Sequence, residues 1–135
     1  MKPNHLLKWL AIAAVAFGLL TVVSGGRALF GGATARAELG NIVPFVLWFN
    51  FIAGFVYVAA GAALLTARRG AVQLTLLLAV TTILVFLAFM AHILSGGAYE
   101  MRTVGAMAIR SLFWIVVAAF ALRAAKTPSA RSHAS

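Results

Sequence analysis

The sequence contains no cysteine and very little negative charge, and both absences restrict its chemistry. Without cysteine the chain offers no disulfide framework, thiol relay, thiolate-held iron–sulfur cluster or cysteine zinc site. Only 2 of the 135 residues are acidic, and both are expected in loops, so the chain mostly lacks the residues that paired-carboxylate or Ser-His-acid catalysis needs. We therefore expect no independent catalytic activity. In a redox setting a partner, a haem or an organic cofactor would carry the electrons.

Charged residues of either sign are scarce, at 10% of the sequence, whereas hydrophobic residues make up 64%. Four apolar stretches have about the 20 residues that a helix needs to cross the hydrocarbon core of a bilayer. Backbone groups in lipid must be satisfied within the segment, which excludes open sheets. The predicted fold is all-α, a polytopic membrane protein with a single domain, residues 1–135, built as an antiparallel four-transmembrane-helix bundle. The helices are expected at about 6–24, 42–67, 71–95 and 102–123, followed by a short basic tail at 124–135.

The start of the chain has two readings. A basic segment followed by an apolar core is typical of a secretory signal peptide, and an Ala-Thr-Ala triplet at 33–35 fits a cleavage site. That triplet lies about a dozen residues past the apolar core, farther than such sites normally sit. We therefore expect the first stretch to be a permanent transmembrane helix.

Lysine and arginine give the chain a net charge of +9, and their positions predict its orientation. Basic residues flank both terminal helices and form the Arg68-Arg69 pair between the second and third. On the opposite side, three arginines are offset by the only two acids, Glu38 and Glu100. This bias predicts a bacterial inner-membrane protein with both termini in the cytoplasm. The basic residues form no stripe, so they predict contact with the lipid bilayer and not with nucleic acid.

Two of the predicted helices carry a face suited to close contact. The first helix has small residues spaced three and four apart, a pattern that lets helix backbones approach in membranes. This small-residue seam consists of Ala11, Ala14, Gly18, Thr21 and Gly25. It serves either the bundle itself or a second chain in a homodimer. The second helix has a stripe expected to face the bundle, formed by Asn50, Gly54, Tyr57 and Gly61.

A Ser-Gly-Gly triplet follows the third helix at 95–97, where two glycines predict a helix end and a turn. The same triplet occurs at 24–26, after the predicted end of the first helix. The two helical hairpins are therefore either an internal duplication or unrelated segments with a chance match.

Arg110 is the least ordinary residue of the apolar stretches. It lies about seven residues, or roughly 10 Å, into the fourth predicted helix, where an unpaired arginine costs about 2 kcal/mol or more. Asn50 lies at nearly the same depth and is the predicted partner. Trp114, one turn further in, is expected to contribute a cation–π contact. Glu38 or Glu100 is expected to neutralise the charge from the outer loops.

These residues define a candidate ligand-binding site in the outward half of the protein. Its members are Asn50, Tyr57, His92, Tyr99, Glu100, Arg110 and Trp114. One reading is an outward-opening polar pocket for an anion, a quinone head group or a substrate oxygen. The other reading is structural, with Arg110 paired to Asn50 and with His92 and Tyr99 at the wet interface. One histidine within the predicted spans is too few for a bis-histidine haem, and ligands for a metal are lacking.

About half of the chain resembles the DoxX and MauE-like four-helix membrane proteins. The likeness rests on Ala53-Gly54, Gly61 with Leu64-Leu65, the Arg68-Arg69 turn, a threonine-rich third helix, and His92 followed by Gly96-Gly97-Ala98-Tyr99-Glu100. The resemblance implies an accessory subunit or partner of a membrane redox system that is quinone-linked or thiol- and sulfur-linked. The absence of cysteine argues against a direct thiol role. The alternative is a small dimeric transporter or lipophile-binding membrane protein.

Overall fold

The computed structural model describes residues 5–134, without the side chains of 35, 36, 39 and 126–134, and these residues form helices joined by turns and irregular segments. The helices are α1 (His5–Phe30), α2 (Gly32–Leu39), α3 (Pro44–Leu65), α4 (Ala71–Leu94) and α5 (Met101–Ala134). Four of them, α5 counted as far as Ala125, are long and apolar enough to cross a membrane. The predicted all-α fold with four long apolar helices is thereby confirmed.

The four long helices surround a common core. α1 packs along α3 and α4 packs along α5, while contacts of α3 with α4 and of α1 with α5 close the ring. Successive long helices are antiparallel; α3, α4 and α5 are joined by short turns, whereas the connection from α1 to α3 contains α2. The N-terminal ends of α3 and α5 therefore lie at the same end of the bundle, called the outer end because the charge bias predicts it to be outside. The core residue Trp114 is fully buried, whereas Leu20 is 67% exposed, as expected for a side chain facing lipid.

The small-residue seam of α1 is filled by α3. A Cβ on Gly18 would lie 2.7 Å from the carbonyl oxygen of Gly54, and a Cβ on Gly61 would lie 2.7 Å from that of Ala11. The hydrophobic effect does not drive helix association within lipid, and van der Waals contact between closely packed backbones takes its place. Gly54, Tyr57 and Gly61 are buried, which confirms the predicted orientation of that stripe. Because α3 of the same chain occupies the seam, the expectation that it serves a second chain is wrong.

α1 is longer than predicted and continues through the first Ser-Gly-Gly triplet to Phe30. Ser24 donates its hydroxyl to the carbonyl of Leu20 at 2.7 Å, and Gly25 lies against the ring of Phe51. Glycine is tolerated inside this helix because, in membranes, a small residue lets a neighbouring helix pack closely against it. The second triplet is a true turn, so the two copies have different structures and give no support to a duplication. The short helix α2 was not predicted, and α5 continues through the predicted tail.

The C-terminal ends of α3 and α4 share one hydrogen-bond pattern. After α3, the amide of Arg68 donates to Ala63 at 2.9 Å and that of Ala67 donates to Leu64 at 3.3 Å. After α4, the amide of Gly97 donates to His92 at 2.9 Å. This is the Schellman motif, which needs a left-handed residue just past the helix. That residue is Gly96, with φ 90°, in one turn and Ala67, with φ 51°, in the other.

Candidate functional site

Arg110 projects from α5 and joins three helices. It lies nine residues after Met101, about 13 Å along the helix, and is half-buried. Its Nη1 donates to Thr21 Oγ1 on α1 at 3.0 Å and to Tyr57 Oη on α3 at 3.3 Å. The close approach of α1 and α3 sets these two hydroxyl groups side by side. One guanidinium nitrogen can therefore serve both.

Aromatic rings surround the cation on its other sides. The Cζ atom of Arg110 lies 4.7 Å from the ring centroid of Phe17 and 5.8 Å from that of Tyr57. Both distances suit a cation–π contact, which strengthens where water is excluded. Trp114 instead packs on Tyr57 at a centroid distance of 4.9 Å. The expected Trp114 contact with the cation is thus wrong, and Phe17 makes it.

No carboxylate neutralises Arg110 within the described part of the chain. Glu38 pairs with Arg27 at 2.9 Å. Glu100 lies 3.8 Å from Arg102. The predicted neutralisation of Arg110 by either acid is therefore wrong, because Arg27 in the last turn of α1 and Arg102 in the first turn of α5 engage them. The guanidinium is left with hydroxyl and aromatic neighbours.

The predicted hydrogen bond between Asn50 and Arg110 is also absent. The guanidinium extends toward Tyr57, which lies two turns further along α3 than Asn50. Each residue nevertheless has one buried polar atom without a partner: Asn50 Oδ1 and Arg110 Nε are shielded from solvent and make no hydrogen bond. Three deeper atoms share this property, Trp114 Nε1, Ser111 Oγ and Thr82 Oγ1. Buried polar atoms of this kind normally find a partner.

A cleft opens at the outer end between the start of α3 and the start of α5. We call it the outer cleft; its volume is about 250 Å³. Apolar walls come from Ile42, Val43, Val46, Leu47 and Ala106, and polar groups come from Asn41, Asn50, Glu100, Arg102 and Thr103. Apolar walls with a few convergent polar groups are typical of small-molecule sites. Asn50 and Glu100 are the predicted site residues that line it.

Glu100 ties the two hairpins together at the mouth of the outer cleft. Its Oε2 accepts the backbone amide of Asn41 at 3.3 Å and the side-chain amide at 3.1 Å. Gly40, with φ 74°, lies so close that a Cβ there would be 2.9 Å from the carboxyl carbon of Glu100. The carboxylate therefore links the segment before α3 to the segment before α5.

His92 and Tyr99 lie outside the lining of the outer cleft. His92 Nε2 is 3.0 Å from the carbonyl oxygen of Ala98, and the ring covers Gly97. Phe89 stacks on His92 and meets Tyr99 edge-on, both at 6.5 Å. These contacts lie within and beside the turn between α4 and α5, so His92 and Tyr99 pack against that turn.

The predicted site is thus divided into three places. Asn50 and Glu100 line the outer cleft. Arg110 contacts Tyr57, on which Trp114 packs. His92 and Tyr99 belong to the turn between α4 and α5. Sequence reasoning missed Thr21 and Phe17 as neighbours of Arg110. Thr21 was visible in the small-residue seam, but nothing in the sequence marked its hydroxyl as the acceptor.

Among the described residues, no three histidines, cysteines or carboxylates come together in a group that could hold a metal ion. The predicted site and the outer cleft instead contain amides, hydroxyls, aromatic rings, the carboxylate of Glu100 and the guanidinium groups of Arg102 and Arg110, which can bind a ligand through hydrogen bonds and charge. The resemblance to the DoxX and MauE-like proteins stays a prediction, because comparisons with family models, curated proteins and solved structures find no match to this chain.

Proposed function

We propose that this small integral membrane protein binds the head group of an amphiphile in its outer cleft. We further propose that it acts as an accessory subunit or partner of a membrane redox system. The observation that carries the proposal is the outer cleft itself, whose apolar walls converge on the half-buried Asn50. A volume of about 250 Å³ suits a head group and the first part of a tail. The rest of a long tail would extend into lipid.

The polar groups of the outer cleft favour a head group rich in oxygen. Asn50, which carries an amide, and Thr103, which carries a hydroxyl, line the cleft. Such side chains donate to carbonyl, phosphate and carboxylate oxygens alike. A quinone has two carbonyl acceptors on an isoprenoid tail and is one member of this ligand class; lipids with oxygen-rich head groups are others.

The redox part of the proposal is supported by the resemblance noted in the sequence. With no cysteine in the chain and no metal-ligand cluster in the described part, electron transfer would belong to a partner protein. The role proposed for this chain is to hold the amphiphile beside that partner. In the proposed orientation both termini are cytoplasmic and the outer cleft faces away from the cytoplasm, in a bacterial inner membrane.

Native mass spectrometry of the gently extracted protein tests the proposal. We expect a bound amphiphile in the wild type and its loss in Asn50→Leu and Thr103→Val. Thr81→Val is the matched control, because the Thr81 hydroxyl is satisfied by the carbonyl of Leu77 at 2.7 Å and lies outside the outer cleft. A ligand-free wild type, or equal retention in all variants, would refute binding in the outer cleft.

The redox partnership is tested separately, by the absorption spectrum of whatever chain co-purifies at a fixed ratio. A haem or flavin spectrum in that chain supports the partnership. A protein that purifies alone from its native membrane contradicts it, whatever the result for the amphiphile.

A small transporter is the second candidate, and one observation favours it. The unpartnered atoms Ser111 Oγ and Thr82 Oγ1 lie deeper in the bundle than Asn50, so polar groups continue inward below the outer cleft. Flux through proteoliposomes that is abolished by Ser111→Val and Thr82→Val would support transport. Homodimers in native mass spectra would be expected for the dimeric form of this alternative.

A further inference from the structure

We infer that Arg110 binds a negatively charged head group at the inner end of the outer cleft, so that the amphiphile is an oxyanion on an apolar tail. This inference rests on the proposed function and adds the charge of the ligand. Arg110 is then the residue that determines specificity. The inference favours carboxylate or phosphate amphiphiles over neutral quinones.

The first argument is the charge balance. Both acids of the sequence are engaged by arginines at helix ends, Glu38 by Arg27 and Glu100 by Arg102. The described neighbours of the guanidinium are hydroxyl groups and aromatic rings, none of which carries charge. An uncompensated arginine within an apolar span is expensive. A ligand anion would supply the missing charge.

The second argument is position. Ala106 lines the outer cleft, and Arg110 follows it by four residues on the same face of α5. Helical side chains lean toward the N-terminal end of their helix, which for α5 is the outer end. The guanidinium reaches Tyr57 on α3, and Arg110 itself is not among the residues that line the outer cleft. The proposed site therefore extends the outer cleft inward by one helical turn of α5, from Ala106 to Arg110.

The third argument is hydrogen bonding. Arg110 uses Nη1 for both of its described hydrogen bonds, and Nε, shielded from solvent, is left unpartnered. Asn50 also carries an unpartnered buried atom at the cleft wall. A head-group oxygen between these residues would accept from the guanidinium. A protonated or hydrated second oxygen would satisfy the amide oxygen of Asn50.

One acid faces the outer cleft, and its charge does not oppose an anion. Glu100 is held by Arg102 at 3.8 Å and accepts from both amides of Asn41. These partners lie at the mouth of the cleft. Arg110 lies two helical turns inward of Arg102 on α5, so the deeper end of the site is positive.

The experiment compares ligands that differ only in head-group charge. Binding of laurate, monododecyl phosphate and dodecanol to the intact protein in neutral detergent is measured by native mass spectrometry and thermal shift. Acetate and inorganic phosphate test whether the oxyanion binds without a tail. We expect the two anionic amphiphiles to bind about 10- to 100-fold more tightly than dodecanol, the range that one charged hydrogen bond supplies.

The variants identify the residue responsible. Arg110→Gln should bring laurate and dodecanol to equal affinity, whereas Arg110→Lys should keep a preference for laurate. Should Arg110→Gln fail to fold, the wild-type comparison of laurate with dodecanol still decides the charge, and a changed laurate affinity in Arg110→Lys but not in Arg27→Gln decides the site. Arg27→Gln should leave the preference within about twofold of wild type, because Arg27 is exposed, pairs with Glu38 and does not line the outer cleft.

The possible outcomes separate this inference from the proposed function. Equal binding of laurate and dodecanol by the wild type would overturn the inference and leave amphiphile binding in place. No binding of either would overturn both. If free phosphate or acetate binds in an Arg110-dependent manner and the amphiphiles do not bind, the result would support an anion site and overturn the proposal that the ligand is an amphiphile. A preference for laurate that persists in Arg110→Gln would assign the charge to another residue and overturn the inference.

Discussion

Gly18 of α1 and Gly54 of α3 are in backbone contact, and a Cβ on Gly18 would lie 2.7 Å from the carbonyl oxygen of Gly54. Because the two helices are antiparallel, Thr21 and Tyr57 lie about one turn to either side of this contact, and each side chain leans back toward it, in the direction of the N-terminal end of its own helix. The two hydroxyl groups then meet the same guanidinium nitrogen of Arg110. A packing feature of the sequence therefore builds the environment of the half-buried Arg110.

Gly18→Ala should destabilise the protein, because the added methyl group meets backbone and not a flexible side-chain end. Overpacking of this kind costs about 1–3 kcal/mol. Gly105→Ala is the matched control, since a Cβ there meets nothing within 4 Å and alanine favours a helix. Thermal unfolding in detergent should show a lower midpoint for Gly18→Ala and an unchanged or higher one for Gly105→Ala. Equal midpoints would contradict the close approach of α1 and α3.

Tyr57→Phe should lower stability by about 1–2 kcal/mol, because it removes an acceptor from a charged donor in a buried setting. The loss should shrink by about 1 kcal/mol in an Arg110→Met background, where the donor is already gone. Unfolding free energies of the two single variants and the double variant give this coupling. Thr81→Val is a control for the loss of a hydroxyl that bonds its own helix. Additive effects would show that Tyr57 and Arg110 do not interact.

The helix bundle was predictable because each apolar run has the length and continuity that lipid imposes on one segment at a time. The partner of Arg110 was not. Depth along separate helices placed Asn50 level with Arg110, but it did not say that α1 would bring Thr21 to the same point. Partner choice depends on how the helices are rotated and how closely they approach. Here the close glycine contact between α1 and α3 sets both.

The turns that follow the C-terminal ends of α3 and α4 give a paired prediction. Ala67 is left-handed with φ 51° and Gly96 with φ 90°, a conformation that costs a residue with a side chain about 1 kcal/mol. Ala67→Gly should therefore raise the free energy of unfolding by up to about 1 kcal/mol, and Gly96→Ala should lower it by at least as much. Reversible unfolding in mixed detergent measures both. The same sign for the two variants would refute the assigned turns.

The orientation of the protein in the membrane is a separate prediction. Green fluorescent protein fused after Ser135 should fluoresce, and alkaline phosphatase fused there should be inactive, since the basic flanks favour the cytoplasmic side. Exchanging Arg68 and Arg69 for glutamine removes two of the basic residues at the α3–α4 turn and should weaken the preference. Active phosphatase at the C-terminus of the wild type would reverse the orientation and place the outer cleft on the cytoplasmic side.

The two acids of the chain should differ in importance although each is paired with an arginine. Glu100 holds both amides of Asn41 and is 29% exposed, whereas Glu38 meets Arg27 with both side chains more than half exposed. Exposed ion pairs contribute about 0–1 kcal/mol. A carboxylate with two amide donors adds about 1.5–3 kcal/mol.

Glu100→Ala should therefore speed amide hydrogen exchange at Asn41, whose backbone amide loses its acceptor, and open the mouth of the outer cleft. Glu38→Ala is the control and should leave exchange at Asn41 unchanged. Gly40→Ala should act like Glu100→Ala, because its new methyl group would occupy the position of the carboxylate and its φ of 74° disfavours a side chain. Exchange that rises equally with Glu38→Ala would indicate general loosening of the loops. Exchange that rises only with Glu100→Ala and Gly40→Ala would identify the carboxylate as the link between the two hairpins, and ligand entry should then be faster in both variants.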